Sequence, residues 1–137
     1  MNKRVLVAWV VVFVAWMAGS FLVHGVLLGA DYTKLSNLFR QPPEAQKYFP
    51  LMILAHVFLS GAFVWIYARG LEARPWLGQG IRYGIVIAFL TSVPMYLIYY
   101  VVQPMPLETV LKQIVFDGLL VVVLGVVAAF VFRANPG

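Results

Sequence analysis

Cysteine is absent from all 137 residues, which removes disulfides, thiolate metal sites, iron–sulfur ligation, thiol redox catalysis and covalent c-type haem attachment. Charge is scarce as well. Asp, Glu, Lys and Arg make up 11% of the chain, against about 25% in soluble proteins, where such residues cover the surface. With 63% hydrophobic residues, the chain cannot screen its apolar side chains from water, and its composition is that of a membrane protein. Soluble-enzyme signatures are also missing: there is no G-x-S-x-G, no H-E-x-x-H and no phosphate-binding glycine loop. The net charge of +5 does not imply nucleic acid, because the 10 basic residues are scattered at the ends of apolar runs rather than gathered into a patch.

What is present is four apolar runs, at roughly 5–28, 50–68, 81–102 and 110–132, each long enough to cross a bilayer as a helix. Barrel strands would be about 10 residues of alternating polarity. The sequence therefore predicts one all-α domain over 1–137, an integral-membrane, up-down four-helix bundle whose partner is the lipid bilayer. Lys3 and Arg4 ahead of VLVAWVVVFVAWMA resemble the start of a signal peptide. The run continues through Leu28 with no small-x-small cleavage site, so it reads as an uncleaved first span. Lys3, Arg4, Arg69, Arg74, Arg82 and Arg133 fall on one side, and Lys34, Arg40, Lys47 and Lys112 on the other. By the positive-inside rule this bias places both termini in the cytoplasm and the loops at 29–49 and 103–109 outside.

The loop DYTKLSNLFRQPPEAQKYFP is the longest polar stretch. Leu35, Leu38 and Phe39 at helical spacing are compatible with a short interfacial helix or with a loose loop, and Pro42-Pro43 before Glu44 marks a turn into a helix start. Asp31, Lys34, Arg40, Glu44 and Lys47 read most simply as solvated loop charges. Small residues recur four apart: Ala15 with Gly19, Gly25 with Gly29, Gly80 with Gly84 and Ala88, Gly125 with Ala129. Such steps let helices approach closely, within the bundle or, alternatively, in self-association. Pro94 should kink the third span and free a carbonyl near Leu90.

Polar residues inside the runs concentrate in one half of the bundle. Taking 1.5 Å per residue, His24 and His56 lie roughly 7 to 9 Å below the outer surface and Asp117 about 11 Å. Shared helix faces group Ser20 with His24 and Asp31, His56 with Ser60, Ser92 with Tyr96, Tyr99 and Gln103, and Gln113 with Asp117. Asp117 is the strongest pointer, since an acid in hydrocarbon costs about 2.5 to 3.5 kcal/mol and is therefore turned inward, paired or neutralised. The structural alternative is that Asp117 bonds His56 or a tyrosine to hold helices in register, and that either histidine is a neutral core imidazole.

Several chemistries share this inventory. Haem b held between His24 and His56 is one, and a metal on His24, His56 and Asp117 is another. A small-molecule, lipid or quinone-like site opening to the outer side would use His24, His56, Asp117, Tyr96, Ser60 and Gln113; proton-coupled solute movement would use the same cluster. The bland alternative is an accessory subunit of a larger membrane complex, with no site at all. A hydrolase on Ser60, His56 and Asp117 is disfavoured, because His and Ser at i and i+4 are a common structural pair.

The stretches HGVLLGADY, IYARG with RPWLGQGIRYG, VPMYLIYYVVQPMP and LKQIVFDGLL resemble an uncharacterised family of small four-helix bacterial inner-membrane proteins known as domains of unknown function. The resemblance implies a multi-pass protein of the bacterial inner membrane, and carries no activity, cofactor or site residue. The leading expectation is a non-enzymatic membrane protein with a ligand-binding polar pocket in its outer half.

Overall fold

A computed structural model of the chain describes residues 2–133. Helix starts follow from residues that cannot or need not continue a helix backwards. The Asn2 side chain accepts a hydrogen bond from the Arg4 amide at 2.9 Å and caps α1 (Lys3–Ser20). A short α2 (Gly29–Lys34) follows in the first loop, and a 3-10 turn (Ala45–Tyr48) leads into α3 (Phe49–Arg69), whose first turn holds Pro50. Pro75 and Pro106 stand directly before α4 (Trp76–Leu90) and α6 (Leu107–Phe132), with α5 (Ser92–Val102) between.

Four stretches are long and apolar enough to cross a membrane: Lys3–Leu27, Ala45–Arg69, Trp76–Val102 and Leu107–Phe132. No strand occurs among the described residues. The chain is thus an all-helical, multi-pass membrane protein. The third span is in two pieces: Pro94 has no amide hydrogen for the Leu90 carbonyl, the helix breaks at Thr91 (φ −112°, ψ −70°), and the Thr91 hydroxyl bonds the Ile87 carbonyl at 2.8 Å. The first loop is helical earlier than its leucine spacing predicts, in α2, while Leu35–Phe39 forms turns closed by the Phe39 amide on the Leu35 carbonyl at 3.0 Å.

α6 is the hub. It packs most extensively along α4, and also against α1 and α5, while α1 in turn carries α3. The α4–α6 contact is backbone on backbone: a Cβ on Gly80 would stand 2.6 Å from the Ala129 Cβ, and one on Gly84 would stand 2.5 Å from the Val122 Cα. These small-residue steps are therefore used inside the bundle. The apolar core occupies the half nearer the termini, where Ala8, Val12, Val64, Leu124 and Ala128 are fully buried. Rings bridge it from Trp16 to Phe63 (5.4 Å), Phe63 to Tyr83 (4.7 Å), Tyr83 to Tyr67 (5.1 Å) and Tyr67 to Phe132 (5.6 Å). Tyr83 also donates its hydroxyl proton to the Phe63 carbonyl, tying α4 to α3. With this half filled by apolar packing, the polar side chains of the spans are left to organise the other half.

Candidate functional site

Immediately after α1 the helix widens. Phe21–Leu27 is wound as a π-helix, with the Leu28 amide reaching the Val23 carbonyl at 2.9 Å, five residues back. π turns are rare and concentrate at functional sites. The local consequence is a break in the helical face: Ser20 points to α3, where its hydroxyl lies 3.1 Å from His56 Nε2, whereas His24 turns to α2 and α6. The face that α-helical spacing would give to Ser20 and His24 together is split, because the i+4 alignment assumes 3.6 residues per turn.

His24 is the middle of a connected polar cluster. Its Nδ1 lies 2.7 Å from the Tyr32 hydroxyl, and the two rings stack with centroids 5.9 Å apart. Gln113 Nε2 donates to that same hydroxyl at 3.2 Å. On the other side of the imidazole, Nε2 is 3.7 Å from Asp117 Oδ1, and Tyr96 donates to Asp117 Oδ2 at 2.9 Å. Four segments thus meet: the π turn, α2, α5 and α6. Beside them Lys112 Nζ bonds Asp31 Oδ1 at 3.2 Å and Glu108 Oε1 at 3.2 Å, pinning α2 to the start of α6.

The proton inventory gives this cluster a direction. Gln113 donates to the Tyr32 oxygen; in the His24 tautomer with Nδ1 unprotonated, the phenol proton goes to Nδ1 and the histidine's own proton sits on Nε2, facing Asp117. Tyr96 also donates to Asp117, so in that tautomer the carboxylate takes one hydrogen bond from Tyr96 at 2.9 Å and faces the His24 N–H at 3.7 Å. At the far end, Gln113 Oε1 is buried and has no hydrogen-bond partner among the described residues. Burial raises the Tyr32 phenol above its ordinary pKa; the Gln113 donor opposes that, and the Asp117 and Asp31 charges add to it. The cluster is not sealed, since the His24 side chain is 33% exposed and Asp117 19%.

His56 and Ser60 belong to a different arrangement. His56 Nδ1 donates to the Met52 carbonyl at 2.8 Å, which leaves Nε2 to accept from Ser20. The Trp16 ring stands edge-on to the imidazole at 6.3 Å, and the Ser60 hydroxyl is spent on the His56 carbonyl at 2.6 Å. This buried group fastens α3 to α1. Of the six residues singled out from sequence, His24, Asp117, Tyr96 and Gln113 come together, and His56 and Ser60 stand apart. Among the described residues no three His, Asp or Glu side chains are grouped to hold a metal. Haem ligation by His24 and His56 would have to dismantle both networks, because both nitrogens of His56 are committed and His24 is held between Tyr32 and Asp117.

Sequence reading left Tyr32 and Lys112 out of the cluster, and placed Asp31 on the His24 face while taking its charge as a solvated loop charge. A signal existed in HGVLLGADY, where Gly29 starts a helix that folds Tyr32 back over His24 eight residues away. Asp31 is not a solvated loop charge, being 19% exposed at its side chain and paired with Lys112. No protein-family model matches the chain, and neither curated proteins nor solved structures show a match to it. The class that the fold and this cluster define is a small multi-pass helical membrane protein with a half-buried, ionisable polar network in one half of its bundle.

Proposed function

We propose that the chain is a non-enzymatic protein of the bacterial inner membrane, with both termini cytoplasmic, that binds a small amphipathic molecule at the His24–Asp117 cluster in the outer half of the bundle. The observation that carries this is Gln113 Oε1, a buried acceptor at the end of the network with no hydrogen-bond partner among the described residues. A buried polar group left unpaired costs about 1 to 3 kcal/mol. A ligand hydroxyl or N–H supplies the missing donor, and the exposed edge of His24 offers approach from the bilayer. The apolar helix faces suit the tail of a lipid or of a quinol-like ring. His24 and Asp117 then orient the polar head rather than carry out a reaction on it.

The test is mass spectrometry of small molecules that copurify with the protein in native lipid particles. A stoichiometric amphipathic species is expected, reduced about tenfold, the equivalent of 1.4 kcal/mol, in Gln113→Leu and in Asp117→Asn and unchanged in His56→Ala. Identical bound molecules in wild type and in the first two variants would end this reading. A Soret band lost in both His24→Ala and His56→Ala would replace it with haem binding, and an empty protein that copurifies with larger subunits would replace it with an accessory role.

A further inference from the structure

At the end of the bundle opposite His24, all four spans contribute to a hollow of about 290 Å³. Arg4 at the start of α1, Arg74 in the α3–α4 loop and Arg133 just past α6 line it, together with Tyr67, Gln79 and Glu72. Among the described residues its lining includes three guanidinium groups and one carboxylate. Its rim is built rather than loose: Gln79 accepts from the Glu72 amide at 3.4 Å and donates to the Glu72 carbonyl at 3.2 Å, holding the loop over the first turn of α4. Arg74 pairs with Glu72 at 2.7 Å, and Arg133 lies over the Phe130 ring at 3.4 Å. Tyr67, 3% exposed, forms part of the wall of the hollow.

Arginines acting only as topology signals need not converge. Here three, from well-separated parts of the chain, surround one opening at the level where helix ends meet lipid head groups. Guanidinium is the side chain best matched to phosphate, through paired N–H donors, and basic pockets between membrane helices suit anionic head groups. The volume is near the lower bound of small-molecule sites, about 300 Å³, so it admits a head group and leaves acyl chains in the bilayer. We propose that this hollow binds the phosphate-bearing head group of an anionic lipid, with Arg4, Arg74 and Arg133 as its cationic contacts and the Tyr67 hydroxyl as an added donor. The site is separate from the His24 cluster and does not rest on the ligand proposed there.

The experiment uses the full chain in neutral detergent, read by native mass spectrometry and melting temperature, with phosphatidylglycerol, phosphatidylcholine and inorganic phosphate as probes. Phosphatidylglycerol is expected to form a one-to-one complex and raise the melting temperature, with phosphatidylcholine doing neither. Each arginine removed should weaken that complex about fivefold. Arg74 is exposed, so Arg74→Gln tests the site with the fold intact, and Arg74→Gln combined with Arg133→Gln should weaken binding further. Arg40→Gln, at the opposite end, should change nothing. Equal binding of the two lipids, or undiminished phosphatidylglycerol binding by Arg74→Gln, overturns the site. Inorganic phosphate binding as tightly as phosphatidylglycerol overturns the lipid as its occupant.

Discussion

Asp117 takes a hydrogen bond from Tyr96 and faces the imidazole of His24, so its two oxygens organise donors from α5 and from the π turn. Asp117→Asn replaces one acceptor by a donor at nearly constant size and leaves two donors opposed. The expected loss is about 1 to 3 kcal/mol in reversible unfolding with a denaturing detergent. His56→Ala, which removes the α1–α3 tie under Trp16, should cost about 2 to 5 kcal/mol in the same assay. Tyr32 supplies a pH signature. Its pKa is raised on folding, so its contribution to stability is fully present below the unfolded value of about 10 and fades as pH rises through the higher folded value. Tyr32→Phe should therefore remove one late-titrating tyrosine from the phenolate absorbance curve, and an unchanged late portion of that curve would contradict the shift. Asp117, His24, Gln113 and Tyr96 were legible in the sequence because polar groups are costly in an apolar run. Tyr32 was not, since a tyrosine beyond a span end looks like any interfacial aromatic.

Among the helices, the one feature without a sequence signature is the π turn at Phe21–Leu27. Hydrophobic patterning reports a continuous apolar run whether the backbone closes four or five residues back, so the redirection of His24 away from Ser20 was hidden. The break in the third span was visible, because proline has a fixed chemical consequence at the carbonyl four residues earlier. The glycine spacings were visible too, but not their partner helices. α4 and α6 approach so closely that a Cβ at Gly84 would stand 2.5 Å from the Val122 Cα and 2.9 Å from the Val122 carbonyl oxygen. Gly84→Ala should thus separate the helices at a cost of about 1 to 3 kcal/mol, read as a lower melting temperature. The same methyl at Gly118, which has nothing within 4 Å, should leave the melting temperature unchanged.

For the molecule as a whole, four spans return the chain to the side on which it began. Reporter fusions at the N- and C-termini should therefore give the same answer, cytoplasmic under the proposed orientation, and a fusion after Pro42 the opposite one. Composition and the length of the apolar runs determined that the chain is a helical multi-pass membrane protein. Residues of low charge and high hydrophobicity, in runs about 20 long, have no other way to satisfy their backbone hydrogen bonds in lipid. The segments, the Pro94 break and the half of the bundle that holds the polar residues follow from the same local rules. Which polar residues meet was decided only in three dimensions. α6 lies between α1 and α4, so Asp117 reaches His24 and Tyr96 rather than His56, while α3 packs on α1 and takes His56 to Ser20. Span order around a bundle depends on side-chain fit between distant segments, and neither depth nor periodicity along one helix contains that information.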